Sequence, residues 1–363
     1  MHWKRNKAIL LLLAISPAIL SCNKDATGPD GTGPVTGSAV FEPQDGACLF
    51  ILGQADETEM TNYVYQVRRD PPPAGFAFYT SLSNGAVQAD LTRYKAFLDD
   101  FPNSVLQLAV WTGERQWGPP GYYLDQIRNG QYDQNISALA QACKTLAKPV
   151  FIRFGYEFDG WHNAYPPDKY IAAYRYFVDR MRAQGVTNVA YVWHSWGVGA
   201  YYGSTDFPDY YPALPPDQTL SQAFWYPGDD YVDWVAMSIF GTGWGDLATN
   251  SVVQWLIDFA ENHNKPVMLA ETAAIKTSGQ SNPDWVITDS NWFVHVFDLC
   301  ANNNAVKAFT YINVDWEEDN PASTWGDTRI QDAASGVGKY WLQNISSFQH
   351  GDSTLFEAIG YKN

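Results

Sequence analysis

The sequence has few cysteines and no CxxC spacing. Four Cys occur in 363 residues, and Cys48, Cys143 and Cys300 are far apart along the chain. Disulfide scaffolds and zinc sites need closely spaced or paired cysteines, so this pattern argues against both. We expect the cysteines to be small buried residues and expect no metal site. One disulfide among them is the alternative.

Basic residues are also scarce. The chain has 23 Lys and Arg against 39 Asp and Glu, a net charge of −16. Nucleic acids and anionic membranes would be repelled by such a chain, so neither is expected as a partner. The 15 Trp, 22 Tyr and 19 Phe suit a neutral ligand with apolar faces and polar edges, as a sugar ring has. Aromatic residues are equally ordinary core material, so composition alone leaves both readings open.

No apolar run is long enough to cross a membrane. The longest, residues 8–20, follows three basic residues and is shorter than the roughly 18 residues that a span requires. This pattern is typical of a secretion signal. The letters ILSC resemble a bacterial lipobox, so we predict a lipoprotein signal peptide over 1–22 with the lipid on Cys22. An ordinary signal peptide is the alternative.

The region after Cys22 lacks residues that could be buried. Residues 23–38 are rich in Gly, Pro, Thr and Asp, which predicts a flexible tether. Residues 39–363 show no second break and no repeat, so one domain is expected. The chain is therefore predicted to be an exported lipoprotein, periplasmic or anchored at the outer membrane or cell surface, and monomeric.

The chain beyond residue 39 alternates between short apolar runs and amphipathic stretches. This alternation predicts βα units around a parallel sheet. Strands are predicted over 48–53, 75–81, 105–111, 149–157, 188–195, 232–240, 266–271 and 306–316. Helices are predicted over 56–69, 90–99, 132–147, 168–184, 251–263, 290–302 and 337–347. Eight units favour a single-domain (β/α)8 TIM barrel over an open doubly wound sheet, and no GxGxxG follows the first strand.

Two carboxylates end otherwise apolar strands. Glu157 follows VFIRFGY and Glu271 follows PVMLA. Glutamate is seldom buried without a partner, so each position needs a reason. Strands four and seven lie on opposite sides of a barrel mouth, and a carboxyl pair about 5 Å apart is what retaining glycoside hydrolysis uses. Ordinary buried carboxylates bonded to arginine or backbone are the alternative.

Alternation along strand four relates Arg153 to Glu157. Phe151, Arg153, Gly155 and Glu157 share one parity and are expected to point the same way. The cation of Arg153 would then hold a nearby carboxylate ionised, as a nucleophile requires. A structural ion pair inside the barrel is the other interpretation.

Three segments carry a family resemblance. FIRFGYEFDGWHN, VMLAET and WYPGDDYVDWVAMSIFG resemble the family 26 glycoside hydrolases, the β-mannanase family, over roughly residues 45–345. The resemblance implies a (β/α)8 retaining enzyme without a cofactor. It implies that Glu157 is the general acid/base, that Glu271 is the nucleophile, and that Arg153 matches an arginine four residues before the acid/base.

The match departs from the family at two places. Tyr156 stands where the family's mannanases have His, which leaves the substrate open: β-1,4-mannan is favoured, with β-1,3/1,4-glucan or β-xylan as alternatives. Phe240 on strand six lacks the aromatic hydroxyl that often steadies the nucleophile. Tyr226 or Tyr311 is expected to replace it.

Aromatic residues follow many of the strands. Six are predicted to form a platform for sugar rings, with packing as the alternative for any one of them: Trp111, Trp161, Trp196, Trp225, Trp244 and Trp316. His194 ends strand five and is predicted to bind substrate or to order Glu157. The expected ligand is a neutral β-glycan. A non-catalytic glycan-binding lipoprotein is the competing class, although binding alone would not require opposed carboxylates.

Overall fold

The computed structural model describes most of the chain beyond residue 38. The described residues are 39–54, 56–83, 85–113, 121–160, 162–163, 165–197, 221–241, 244–275, 290–319, 323, 325–333 and 335–362. The predicted signal peptide, Cys22, the tether and Trp161 lie outside them. Within these ranges, no helix is both long enough and apolar enough to span a membrane.

Eight parallel strands close into a barrel in chain order. They are β1 (Leu49–Gly53), β2 (Gly75–Ser81), β3 (Val105–Trp111), β4 (Val150–Phe154), β5 (Val189–Ser195), β6 (Trp234–Phe240), β7 (Val267–Ala273) and β8 (Val306–Ile312). The predicted (β/α)8 TIM barrel is confirmed. The largest error in length is at β4 and β8, which end three and four residues before their predicted ends.

Helices connect the strands outside the barrel. They are α1 (Glu57–Gln66), α2 (Val87–Asp99), α3 (Tyr122–Arg128), α4 (Asp133–Leu146), α5 (Pro167–Ala183), α6 (Ser251–Asn262), α7 (Ser290–Asn302), α8 (Trp316–Asp319), α9 (Ser335–Ile345) and α10 (Leu355–Ala358). Each of the seven predicted helices is present within about three residues at either end. Helix α3 was not predicted and lies in the connection from β3 to α4.

Helix α5 shows why the periodic stretches form helices. Pro167 occupies its first turn, where a missing N–H costs nothing. Tyr174, Phe177 and Met181 lie on its buried face. Gly185 follows its last turn with φ +68°, a left-handed conformation that ends a helix at low cost in glycine.

The barrel interior contains a polar layer below the mouth. Gln107 of β3 is fully buried; it donates to the carbonyl of Ala270 (2.9 Å) and accepts from the hydroxyl of Thr310 (2.6 Å). A buried amide is tolerated only when such partners exist. These bonds fix the backbone of β7 at the residue before Glu271.

The predicted burial of the cysteines is confirmed. Cys48, Cys143 and Cys300 are buried free thiols. Burial raises the pKa of Cys48, and the neighbouring Cys300 adds to that rise. Cys143 lies elsewhere in the core, and burial raises its pKa to about 12. The thiols of Cys48 and Cys143 therefore stay protonated near neutral pH.

Candidate active site

Glu157 lies in a turn beyond β4. The strand ends at Phe154, and Gly155 and Glu157 have φ of +55° and +49°. The expected shared parity of Arg153 and Glu157 is therefore wrong, because the extended alternation stops before Gly155. A left-handed glutamate costs about 1 kcal/mol or more and needs support from its surroundings. The amide of Asn163 supplies it by donating to the carbonyls of Tyr156 (2.9 Å) and Glu157 (3.0 Å).

Glu271 is placed by an irregularity in β7. Met237 and Ser238 are consecutive in β6, yet they pair with Leu269 and Glu271, so β7 carries one extra residue. The register of β7 with β8 shifts over the same stretch. Such a bulge re-aims the side chain beside it. The carboxylate of Glu271 is consequently buried at the mouth, 5% exposed.

Arg153 and Tyr79 both contact Glu271. The guanidinium of Arg153, fully buried, donates from Nη1 to Oε1 of Glu271. The hydroxyl of Tyr79, on β2, lies 3.2 Å from the same oxygen. The Tyr79 hydroxyl also contacts Oε1 of Gln54, at the end of β1. Three strands on one side of the mouth thus hold the carboxylate.

A chain of hydrogen bonds joins Arg153 to Glu157. Nη1 of Arg153 lies 3.1 Å from Nδ1 of His194, and Nε2 of His194 lies 3.0 Å from Oγ of Ser238. Ser238 in turn donates to Oε1 of Glu157 (2.6 Å). Because Arg153 also binds Glu271, the two carboxylates are connected through three buried side chains. His194 therefore orders Glu157 through Ser238, and its complete burial argues against direct contact with substrate.

Burial and charge set the protonation of this network. Burial raises the pKa of Glu271, the Arg153 guanidinium opposes that rise, and the charge of Glu157 adds to it. Burial and the neighbouring Arg153 together lower the pKa of His194 well below its usual range. His194 is accordingly neutral, while Glu271 ionises because a cation lies against it.

Tyr156 lies beside the two carboxylates. Its ring packs edge-on against Tyr79 at 5.5 Å between centroids, and the Arg153 guanidinium lies 5.6 Å from its centre. Burial raises the pKa of Tyr156 far above the ordinary value for tyrosine, so its hydroxyl stays protonated. The residue is half-buried and interacts electrostatically with both Glu271 and Glu157. A protonated hydroxyl in this position is suited to hydrogen-bond a ligand.

Asp159 attaches the turn after β4 to the end of β5. One of its oxygens accepts from the hydroxyl of Ser195 (2.7 Å) and the other from the backbone N–H of Trp196 (2.5 Å). Burial raises the pKa of Asp159 to about 6, although these hydrogen bonds act against the rise. Asp159 thus holds two adjacent strand ends together and has no solvent-facing role.

The predicted aromatic positions divide into two groups. Four are half-buried at or just beyond strand ends: Trp111, Trp196, Trp244 and Trp316. The prediction for Trp225 is wrong, because that ring is 1% exposed and packs against Phe158 in the core. Trp161 lies outside the described residues.

The expected replacements for a strand-six hydroxyl are also wrong. Tyr311 is fully buried, and its hydroxyl donates to the carbonyl of Thr328 (2.6 Å). Tyr226 bonds to Asp229 (2.8 Å) and packs on His263 beside α6. Neither contacts Glu271, whereas Tyr79 does.

Several residues of the site were not assigned from the sequence. Tyr79 lies near the end of β2 and Gln54 directly follows β1, whereas Ser238 lies inside β6 without any distinguishing signal. Trp325, 38% exposed, packs 4.8 Å from Trp316 and 5.3 Å from Phe240 between ring centroids. It follows β8 by thirteen residues, so strand-end reasoning could not find it.

The described residues of the site include no grouped metal ligands. In the part of the chain that is described, no group of three or more His, Cys, Asp or Glu side chains is arranged to hold a metal ion. The functional groups present are two carboxylates, a guanidinium, hydroxyls and aromatic rings. These groups can move protons, supply a nucleophile and stack on sugar rings.

Two curated relatives are similar to this chain over most of its length. The chain is 28% identical over 334 residues to a β-1,3-xylanase from Vibrio sp, covering 84% of this chain and 63% of the relative. It is 29% identical over 333 residues to a β-1,3-xylanase from Alcaligenes sp, covering 82% and 64%. The chain thus spans less than two thirds of the length of these relatives. No family model matches the chain.

Solved structures share the fold. A family 26 β-mannanase from Bacteroides ovatus has a TM-score of 0.57 at 14% identity, covering 88% of this chain and 93% of that chain. The predicted resemblance to family 26 glycoside hydrolases is confirmed at the level of the barrel.

Proposed function

We propose that this chain is a retaining endo-β-glycosidase that cleaves a β-linked polysaccharide. The observation that carries the proposal is the pair Glu157 and Glu271, both buried at the mouth and both held by hydrogen bonds. The relatives and the structural neighbour are all named as enzymes that cleave β-linked glycans, which supports the enzyme class.

The two carboxylates take different roles. Glu271 attacks the anomeric carbon, because Arg153 keeps its carboxylate ionised and Tyr79 fixes its orientation. Glu157 protonates the glycosidic oxygen as the bond to the anomeric carbon breaks. It then removes a proton from water, which releases the sugar from Glu271. No cofactor takes part in these steps.

Three substrates are candidates. The two relatives at 28% and 29% identity are β-1,3-xylanases, and their alignment covers most of this chain. Tyr156, where family 26 mannanases have His, agrees with a substrate other than mannan. We therefore place β-1,3-xylan first. β-1,4-Mannan, favoured by the family resemblance, is second, and β-1,3/1,4-glucan follows.

A panel of glycans tests this proposal. Mature protein would be incubated with β-1,3-xylan, mannan, lichenan, laminarin and β-1,4-xylan, and reducing ends would be counted. Glu271→Ala should abolish release, whereas Glu261→Ala, an exposed change on α6, should not. A wild-type protein that binds one of these glycans but releases no sugar would favour the glycan-binding alternative.

We also propose that Cys22 carries a lipid. The short apolar run and the ILSC sequence support this proposal. Cells fed radiolabelled palmitate should label the wild-type chain and leave Cys22→Ser unlabelled. An unlabelled wild-type chain in the soluble exported fraction would indicate an ordinary signal peptide.

A further inference from the structure

His162 is held against the carboxylate of Glu157. Nε2 of His162 lies 2.8 Å from Oε2 of Glu157, and the side chain is 34% exposed. The ring also packs edge-on against Trp196, 5.4 Å between centroids. Gly160 makes the approach possible, because a Cβ at that position would overlap with the imidazole ring. The segment after Glu157 is thus built to return His162 to it.

The hydrogen bonds that run from Arg153 through His194 and Ser238 to Glu157 have a fixed direction. Arginine only donates, so Nδ1 of His194 must accept from Arg153. His194 is neutral, and its single ring proton is therefore on Nε2, which donates to Oγ of Ser238. The hydroxyl of Ser238 then has its proton free to donate to Oε1 of Glu157.

This direction determines which oxygen of Glu157 carries the catalytic proton. Oε1 accepts from Ser238 and cannot be protonated without turning that chain of bonds around. The acidic proton is therefore on Oε2. Oε2 is also the oxygen that faces His162, so His162 is the partner at the oxygen that reacts.

We propose that His162 is a positioning residue that shares the acid/base proton of Glu157. The inference rests on the proposed glycosidase function. At rest, one proton lies between Oε2 of Glu157 and Nε2 of His162. The arriving glycosidic oxygen takes the place of Nε2 and receives this proton as its bond to the anomeric carbon breaks and the bond to Glu271 forms. Water then returns a proton to Oε2 as its oxygen bonds to the anomeric carbon and the bond from that carbon to Glu271 breaks, which frees the carboxylate.

Charged groups surround Glu157. It interacts electrostatically with Glu271 and with Asp159, and Arg153, the nearby cation, is already paired with Glu271. The imidazole of His162, 2.8 Å from Oε2, is placed to hold the proton at that oxygen.

The dependence of kcat/KM on the leaving group tests the inference. His162→Gln keeps a hydrogen-bond donor near Oε2 but cannot hold the proton. Its kcat/KM on the natural glycan should fall about 10-fold, whereas its kcat/KM on a dinitrophenyl glycoside, whose leaving group needs no proton, should change little. The matched control is His263→Gln, since His263 is 32% exposed and lies 2.6 Å from Asp229 away from the mouth. That variant should keep the wild-type values on both substrates.

A role in structure alone would give a different result. If His162→Gln loses kcat/KM equally on the two substrates, the inference is overturned and the proposed function stands. If the wild-type protein cleaves no glycan, both the inference and the proposed function are wrong.

The pairing has a second test that needs no activity. A proton held between the ring and the carboxylate should give a strongly deshielded Nε2–H resonance of His162 in the NMR spectrum of the wild type. Glu157→Gln should lose this resonance. A wild type that lacks it, or a variant that keeps it, would contradict a shared proton, even in an active enzyme.

Discussion

The hydroxyl of Tyr79 lies 3.2 Å from Oε1 of Glu271, so a tyrosine from β2 steadies the carboxylate that Tyr226 or Tyr311 was expected to hold. Phe240 at the end of β6 faces a different environment, beside Trp325. The barrel therefore meets the same chemical requirement from another strand. Strands β2 and β7 are not neighbours in the sheet, so the two residues come together because the barrel is closed.

Removing the Tyr79 hydroxyl should slow the reaction. Tyr79→Phe loses one hydrogen bond to a carboxylate, which is worth about 1.5 kcal/mol or somewhat more, so kcat should fall by roughly 10-fold. Binding of the glycan should change little. Steady-state kinetics check both values. A variant with wild-type kcat would show that Tyr79 does not steady the nucleophile.

Loss of the Arg153 cation should move the acid limb of the pH profile. Burial raises the pKa of Glu271, and Arg153 opposes the rise, so Arg153→Met should raise this pKa further. Glu271 must be ionised to attack, and the acid limb of kcat/KM should shift to higher pH. Arg153→Lys keeps the charge and should shift it less. Thermal melting would verify that both variants fold, and an unmoved acid limb in a folded Arg153→Met variant would contradict the pairing.

His350 should make stability depend on pH. Burial lowers the pKa of His350 to about 4, below its ordinary value of 6.5. The folded state prefers the neutral ring, so its contribution is present above pH 6.5 and is lost as pH falls toward 4. The wild type should lose about 2 kcal/mol more than His350→Asn between pH 7.5 and pH 5. Urea unfolding at both pH values measures the difference, and equal losses would contradict it.

Trp325 should contribute to glycan binding. The ring is 38% exposed beside Trp316 at the mouth. Stacking on a sugar ring is worth about 1 kcal/mol, so Trp325→Ala should raise KM several-fold with little change in kcat. Tyr65, 60% exposed on α1, provides the matched control. If Tyr65→Ala and Trp325→Ala have the same KM, Trp325 is not part of the cleft.

The fold was predictable because its signals are local and repeated. Strands such as VLQLAVW and GFAFYTS are continuous apolar runs, which is typical of strands buried on both faces. The intervening helices carry apolar residues at three- and four-residue spacing. Helix α3 was missed because its seven residues are too few to show that period clearly.

The position of the carboxylates was predictable, but their exact setting was not. Strand ends at the C-terminal face pointed to Glu157 and Glu271. The left-handed turn at Glu157 and the bulge before Glu271 depend on contacts with neighbouring strands, which a single sequence does not reveal. The same holds for Ser238, whose role depends on its pairing with β7 and on His194.

The most direct test of the two-glutamate account is the site of a covalent sugar. The reagent is a 2-fluoro β-xyloside with a dinitrophenyl leaving group, or the corresponding mannoside if mannan is the substrate. Its leaving group lets the covalent intermediate form without acid catalysis, and the fluorine slows hydrolysis of that intermediate. Mass spectrometry of the digested protein should find one sugar on the peptide that contains Glu271, and Glu271→Ala should remain unlabelled. A label on any other residue, or hydrolysis of the natural glycan with inversion at the anomeric carbon, would contradict the account.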